Sequence, residues 1–63
     1  QFMLRSICAK IDILKNTIIN EKLLTFKRPG DGISPRSIKS LIGKKVIRNI
    51  LADEQINWKD IEK

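Results

Sequence analysis

Histidine and tyrosine are absent from these 63 residues, which carry one cysteine, one tryptophan and two phenylalanines. Without histidine, and with a single thiol, neither a zinc centre nor a Cys-His nucleophile can be assembled, and an internal disulfide is excluded. Cys8, set in an apolar run, is expected to be a small buried residue. No apolar stretch approaches the roughly 18 residues that span a bilayer, and no charged leader with a hydrophobic centre is recognisable, so a cytoplasmic location is expected. Acidic residues are scarce: 7 Asp and Glu stand against 13 Lys and Arg, a formal charge of +6 with pI near 9.9. That excess favours an anionic partner without naming one.

What is present fits one small domain, residues 1–63. A hydrophobic fraction of 41% and a mean hydropathy of −0.22 belong to a folded globular chain rather than a disordered tail. A chain this short buries only about 60% of its unfolded surface, which leaves no room for a deep catalytic cleft. Gln1 as first residue is read as a truncation of a longer protein.

The centre of the sequence is Lys27-Arg28-Pro29-Gly30-Asp31-Gly32-Ile33-Ser34-Pro35. Pro29 has no N–H and fixes its own φ, so a strand Leu23 to Arg28 must stop there, with Arg28 biased to an extended backbone. Gly30 and Gly32 are expected to supply positive φ on either side of Asp31. Ser34 followed by Pro35 reads as an N-cap with proline at the first helical position. An arginine beside helix amides suits a carboxylate, a phosphate or a polar carbonyl. On spacing alone, the plainer reading is a turn that joins two elements.

Along the chain, residues 1–11 alternate as a strand with no cleanly polar side. Residues 12–16 turn, with Asn16 the candidate for a left-handed residue, and Thr17-Ile18-Ile19 forms a short β-branched strand. Asn20 caps one helical turn at Glu21-Lys22. In the strand that follows, Leu24, Phe26 and Arg28 share a face, which places Arg28 at the rim of the core. Ile38, Leu41 and Ile42 recur at helical spacing from Pro35 for about two turns, stopped by Gly43 as a left-handed cap. Val46 to Ile50 reads as a strand, 52–54 as a turn, and Asn57 as the cap of a last helical turn with Trp58 and Ile61. Trp58 is expected to close one end of the core, with Phe26 and Ile47 as core residues.

Residues 13–24 align without gaps on residues 50–61, with five of twelve positions identical. Each copy reads as turn, short strand, Asn cap and helical turn, which implies a pseudo-twofold arrangement of two similar units. Many short strands, tight turns and one short helix make a mostly β fold.

Lys27-Arg28-Pro29-Gly30, Gly32-Ile33-Ser34-Pro35, Leu41-Ile42-Gly43-Lys44, Arg48-Asn49-Ile50 and Asp60-Ile61-Glu62 together resemble the C-terminal antifreeze-like (SAF) domain of sialic acid synthases. Arg5-Ser6-Ile7 and 9–16 fit the same domain, so the resemblance covers nearly the whole chain. It implies the β-clip, or pretzel, fold of type III antifreeze proteins. In the family, a phosphoenolpyruvate-dependent (β/α)8 barrel with a divalent metal, Mn or Mg, condenses the enol ether with an N-acetylated hexosamine. Those enzymes are domain-swapped homodimers in which each small domain covers the partner's barrel and supplies an arginine to the sugar's acetamido group. By the motif match that arginine would be Arg28, with loop support from Pro29, Gly30, Gly32 and Ser34. Related synthases make legionaminic or pseudaminic acid, or precursors of spore-coat polysaccharide. The family turn containing Lys-Lys-Gly reads Leu14-Lys15-Asn16 here, and the barrel is missing from these residues. The implied role is therefore that of an accessory lid, with no metal, cofactor or catalytic group of its own.

Two other functions compete. Ice binding by a stand-alone antifreeze-like protein wants a flat, weakly charged face, whereas Lys10, Asp12 and Lys15 interrupt the surface around Asn16, Thr17 and Asn20. A nucleic-acid role would use a basic strip of Arg36, Lys39, Lys44, Lys45 and Arg48. With no aromatic residue among them, the stacking platform for single strands is lacking.

Overall fold

A strand whose alternate residues are all small or apolar can be buried on both faces, and β1 (Ser6–Ala9) is such a strand. Its four side chains are all buried, which accounts for the absence of a polar side in the sequence alternation. The computed structural model describes residues 4–62. The expected strand over 1–11 is thus shorter, and its first three positions lie outside the described residues. β2 (Leu24–Lys27) pairs antiparallel with β1 in the register Ser6↔Lys27, Ile7↔Phe26, Cys8↔Thr25 and Ala9↔Leu24. Leu23 belongs to the preceding 3-10 turn, Glu21–Leu23, which Asn20 caps as expected by accepting the Lys22 N–H at 2.9 Å. A second 3-10 turn, Pro35–Ser37, runs into α1 (Ile38–Leu41), so seven residues make the expected two-turn helix. The last turn, Trp58–Asp60, is also 3-10.

The internal repeat is present in the hydrogen bonding. Ile13 and Ile50, equivalent positions of the two copies, bridge each other through N–H to O bonds of 2.7 and 2.8 Å. Lys15 N–H donates to Asn49 Oδ1 at 2.7 Å, and its equivalent, Ala52 N–H, donates to Asp12 Oδ1 at 2.8 Å. Asn16 N–H reaches Val46 O at 2.8 Å, and Asp53 N–H reaches Ala9 O at 2.7 Å. Asn16 (φ 76°) and Asp53 (φ 71°) are both left-handed, a conformation that short polar side chains tolerate. The bridges Ile18↔Lys45 and Cys8↔Gln55 are likewise related by the repeat. Residues 6–25 and 43–62 thus form two similar units, joined by a connector that contains the Arg28 loop.

Between the units lies a core of Ile7, Ala9, Ile13, Ile19, Leu24, Ile33, Leu41, Val46, Ile50, Ile56 and Ile61, with Leu23 and Ile38 packed against it. Three expected core residues are outside it: Phe26, Ile47 and Trp58 are 40, 46 and 51% exposed. In a two-stranded sheet, β2 lifts off the core beyond Leu24 and takes Phe26 with it. The expected strand Val46–Ile50 is irregular instead, tied by single bridges from Val46 to Ile61 and from Ile50 to Ile13. Ile47 lies between these bridges, its N–H bonded to Asp60 O at 2.8 Å and its side chain exposed. Gly43 (φ 90°) occupies the left-handed position after α1, as expected.

A buried carboxylate is held by a charged side chain and a backbone amide. Asp60, 2% exposed, accepts from Arg48 Nε (2.8 Å), from Arg48 Nη2 (3.2 Å) and from the Asn57 N–H (3.0 Å). Arg48 also bridges to Glu54 Oε2 at 3.1 Å. Burial pushes the Asp60 pKa upward, but the hydrogen bonds from Arg48 and Asn57 outweigh it and hold the carboxyl below the usual aspartate value. The Glu54 carboxyl is lowered by the Leu51 N–H and by Arg48. Arg48 is thus committed to two carboxylates and drops out of the basic strip expected with Arg36, Lys39, Lys44 and Lys45.

Candidate functional site

The loop that follows β2 is held from beneath by a serine. Ser6 is wholly buried at the start of β1, and its hydroxyl donates to Pro29 O at 2.6 Å while accepting the Gly32 N–H at 2.8 Å. One hydroxyl therefore satisfies a carbonyl and an amide three residues apart, where an alanine could satisfy neither. Ile7 N–H donates to Ile33 O at 2.9 Å, and the Ile33 side chain is buried, which pins the far end of the loop. At the loop's crest, Gln55 Nε2 donates to Asp31 Oδ1 at 2.9 Å. The Arg28–Pro29 peptide is cis.

Gly30 and Gly32 serve the loop differently from expectation. Neither has positive φ; Gly43 alone among the described glycines does. What demands glycine is contact. A Cβ on Gly30 would lie 2.5 Å from Leu4 Cβ and 2.9 Å from the Leu4 carbonyl carbon, and one on Gly32 would lie 2.7 Å from Gln55 Oε1 and 3.2 Å from Ser6 Cβ. Both positions let the loop lie flat on β1 and its approach. Ser34 caps the following turn as expected: its Oγ accepts the Arg36 N–H at 3.2 Å, with Pro35 at the first helical position.

The structure thus draws Pro29, Gly30, Gly32 and Ser34 into one braced loop, and Arg28 stands exposed at its entry. From Leu24 through Phe26 to Arg28 the chain runs from buried to exposed, so Arg28 stands clear of the core rather than at its rim. Lys27, one residue earlier, pairs with Asp53 at 2.6 Å, and that carboxylate raises its pKa. Beside the loop, a shallow depression of about 260 Å³ is lined by Leu4, Arg5, Phe26, Ser34, Pro35 and Arg36. Sequence reasoning missed Ser6 and Gln55, the two side chains that hold the loop. A serine at the start of an otherwise apolar strand was the one available signal, because a buried hydroxyl needs partners. Among the described residues, no three His, Cys, Asp or Glu side chains come together to hold a metal ion, and no helix is long and apolar enough to cross a membrane.

Residues 5–62 match the SAF domain family. The chain is 34% identical over 58 residues to the N,N'-diacetyllegionaminic acid synthase of Legionella pneumophila, a span of 92% of this chain and 16% of that protein. With the N,N'-diacetyllegionaminic acid synthase of Campylobacter jejuni it shares 42% identity over 52 residues, 82% of this chain and 16% of that one. The chain therefore spans about one sixth of the length of these relatives, in their C-terminal region. Among solved structures, it superposes with a TM-score of 0.89 and 32% identity on the antifreeze protein like domain of human N-acetylneuraminic acid phosphate synthase, covering 92% of this chain and 75% of that one. The expected antifreeze-like fold, two similar units of short strands with one short helix, is the fold observed. The chain belongs to the SAF domain family, as an antifreeze-like domain homologous to those of sialic and legionaminic acid synthases.

Proposed function

We propose that this domain is the accessory, substrate-covering part of a longer phosphoenolpyruvate-dependent synthase of legionaminic, sialic or a related acid, and that Arg28 contacts the N-acetylated hexosamine in the partner subunit's barrel. The observation that supports this reading is the bracing of the loop after Arg28. Ser6, the Ile7 N–H and Gln55 hold it at three points, and its glycines lie against Leu4 and Ser6. A loop so held keeps the backbone next to Arg28 in place before substrate arrives, which lowers the ordering cost of a contact made across subunits. Positioning and exclusion of water are then the domain's contribution, with the chemistry carried by the barrel. The divalent metal, Mn or Mg, would be held by the barrel. Taken alone, the 63 residues turn nothing over.

Arg28→Ala in the full-length synthase tests the assignment. A hydrogen bond from a charged donor contributes about 1.5 to 3 kcal/mol, so kcat/KM for the sugar should fall roughly tenfold to a hundredfold. The KM for phosphoenolpyruvate should stay unchanged. Unaltered sugar kinetics would remove Arg28 from the site.

A further inference from the structure

The depression beside the loop combines features that the Arg28 assignment does not use. Phe26 and Leu4, both exposed, form its apolar walls, and Arg5 and Arg36 supply two guanidinium groups. Neither of these arginines joins an ion pair among the described residues, whereas Lys27 and Arg48 do. Aromatic rings and arginines are both enriched where protein surfaces meet, relative to the rest of the surface. Its volume, about 260 Å³, suits one or two side chains. The relatives that this chain matches are about six times as long, so most of such a protein lies outside these 63 residues. The chain's charge of +6 calls for an acidic counterpart.

Building on the lid assignment above, we propose that the Leu4–Phe26–Arg36 depression is the seat on which this domain docks, and that it receives an acidic segment of the catalytic part of the parent synthase. That segment would place an apolar side chain between Leu4 and Phe26, with an Asp or Glu beside it reaching Arg5 or Arg36. Seating there would fix the neighbouring Arg28 over the substrate. The Phe26 ring, which β2 carries away from the domain's own core, would be covered in that seat.

The test is site-specific photocrosslinking in the full-length synthase. Benzoylphenylalanine replaces Phe26 or, in a second variant, Leu4, and Leu51, 66% exposed and outside the depression, is the control position. Light should attach positions 26 and 4 to a segment of the catalytic part with an acidic residue nearby, several-fold more efficiently than position 51. Adding the exposed changes Arg5→Glu and Arg36→Glu should reduce that yield about tenfold, since like charges across a contact repel. Attachment only to a second copy of this domain, to residues 1–3 of the same chain, or no better than at position 51 would overturn the proposal. Arg28→Ala kinetics are read separately. A specific crosslink with unchanged sugar kinetics upholds the seat and refutes the role of Arg28; the opposite pair of results does the reverse.

Discussion

Replacing Ser6 with alanine tests whether the loop is held from the core or merely drapes over it. The side chain is 0% exposed, donates to Pro29 O at 2.6 Å and accepts the Gly32 N–H at 2.8 Å. Removing one hydroxyl breaks both bonds and leaves little space for water at its own position. The Pro29 carbonyl belongs to an exposed residue and can turn to solvent, which recovers part of the loss. The Gly32 N–H is half-buried over Ser6 and Gln55 and recovers less. Each net bond contributes about 1 kcal/mol, so the expected loss is about 1 to 2 kcal/mol. In a domain of this size, each kcal/mol moves Tm by about 4 to 8 °C. Urea unfolding followed by tryptophan fluorescence would give the global figure, and hydrogen exchange at the Gly32 and Ile7 amides, which bond to Ser6 Oγ and Ile33 O, the local one. Those two amides should lose protection more than the Ile13 and Ile50 amides, which lie across the pseudo-axis. A stability change under about 0.5 kcal/mol, with Gly32 protection intact, would refute the bracing role.

The Asp60 and Glu54 carboxyls have lowered pKa values in the folded state, so their contribution is complete above the unfolded carboxyl range near pH 4 and is lost as pH falls through the folded values. Tm should be flat from pH 7 to about pH 5 and drop below about pH 4; Asp60→Asn should lower Tm at pH 7 and shallow that drop, and an unchanged acid slope would count against the pair. In the core, Ile50→Ala should cost about 2 to 5 kcal/mol and leave the domain largely unfolded, whereas Phe26→Ala and Ile47→Ala should cost under about 1 kcal/mol. Circular dichroism melts of the three variants would settle it, and an unfolded Phe26→Ala would place that ring back in the core.

Much of the architecture was legible because the repeat and the punctuation residues act locally. Asn16, Asn20, Ser34 and Gly43 each do at their own position what their chemistry dictates, and the structure places all four as expected. The burial errors came from reading each half of the chain by itself. Trp58 aligns with Glu21, which is exposed, as is Trp58, so the alignment carried the correct burial there and hydrophobicity at a single position outweighed it. Ile47 lies outside the aligned residues, and only the backbone bonds of the structure pair it with the exposed Lys10. The same alignment pairs Asn16 with Asp53 and so contained the second left-handed residue. What could not be read was the long-range contact. Nothing local states that Gln55 reaches Asp31, or that Gly30 must be bare because Leu4 lies above it. The Arg48–Asp60 pair was likewise hidden, since twelve residues of irregular chain bring the two together.

The departure from symmetry coincides with the candidate site. Residues 6–25 and 43–62 repeat one another's backbone bonds, and a mutual Ile13–Ile50 bridge joins them. Stability is thereby concentrated in two similar units that need little regular secondary structure. The connector between them has no counterpart, and it carries Arg28, the braced loop and Arg36. Under the repeat, Ser6 corresponds to Gly43. At position 43, glycine supplies a left-handed backbone that ends α1, with its N–H bonded to Ile19 O at 2.8 Å. At position 6, the serine side chain reaches out of its unit to grip Pro29 and Gly32. A duplicated scaffold tolerates such a difference because each copy keeps its own backbone bonds. The single hydroxyl at Ser6 thus ties a loop that the symmetry does not require to a frame that the symmetry stabilises.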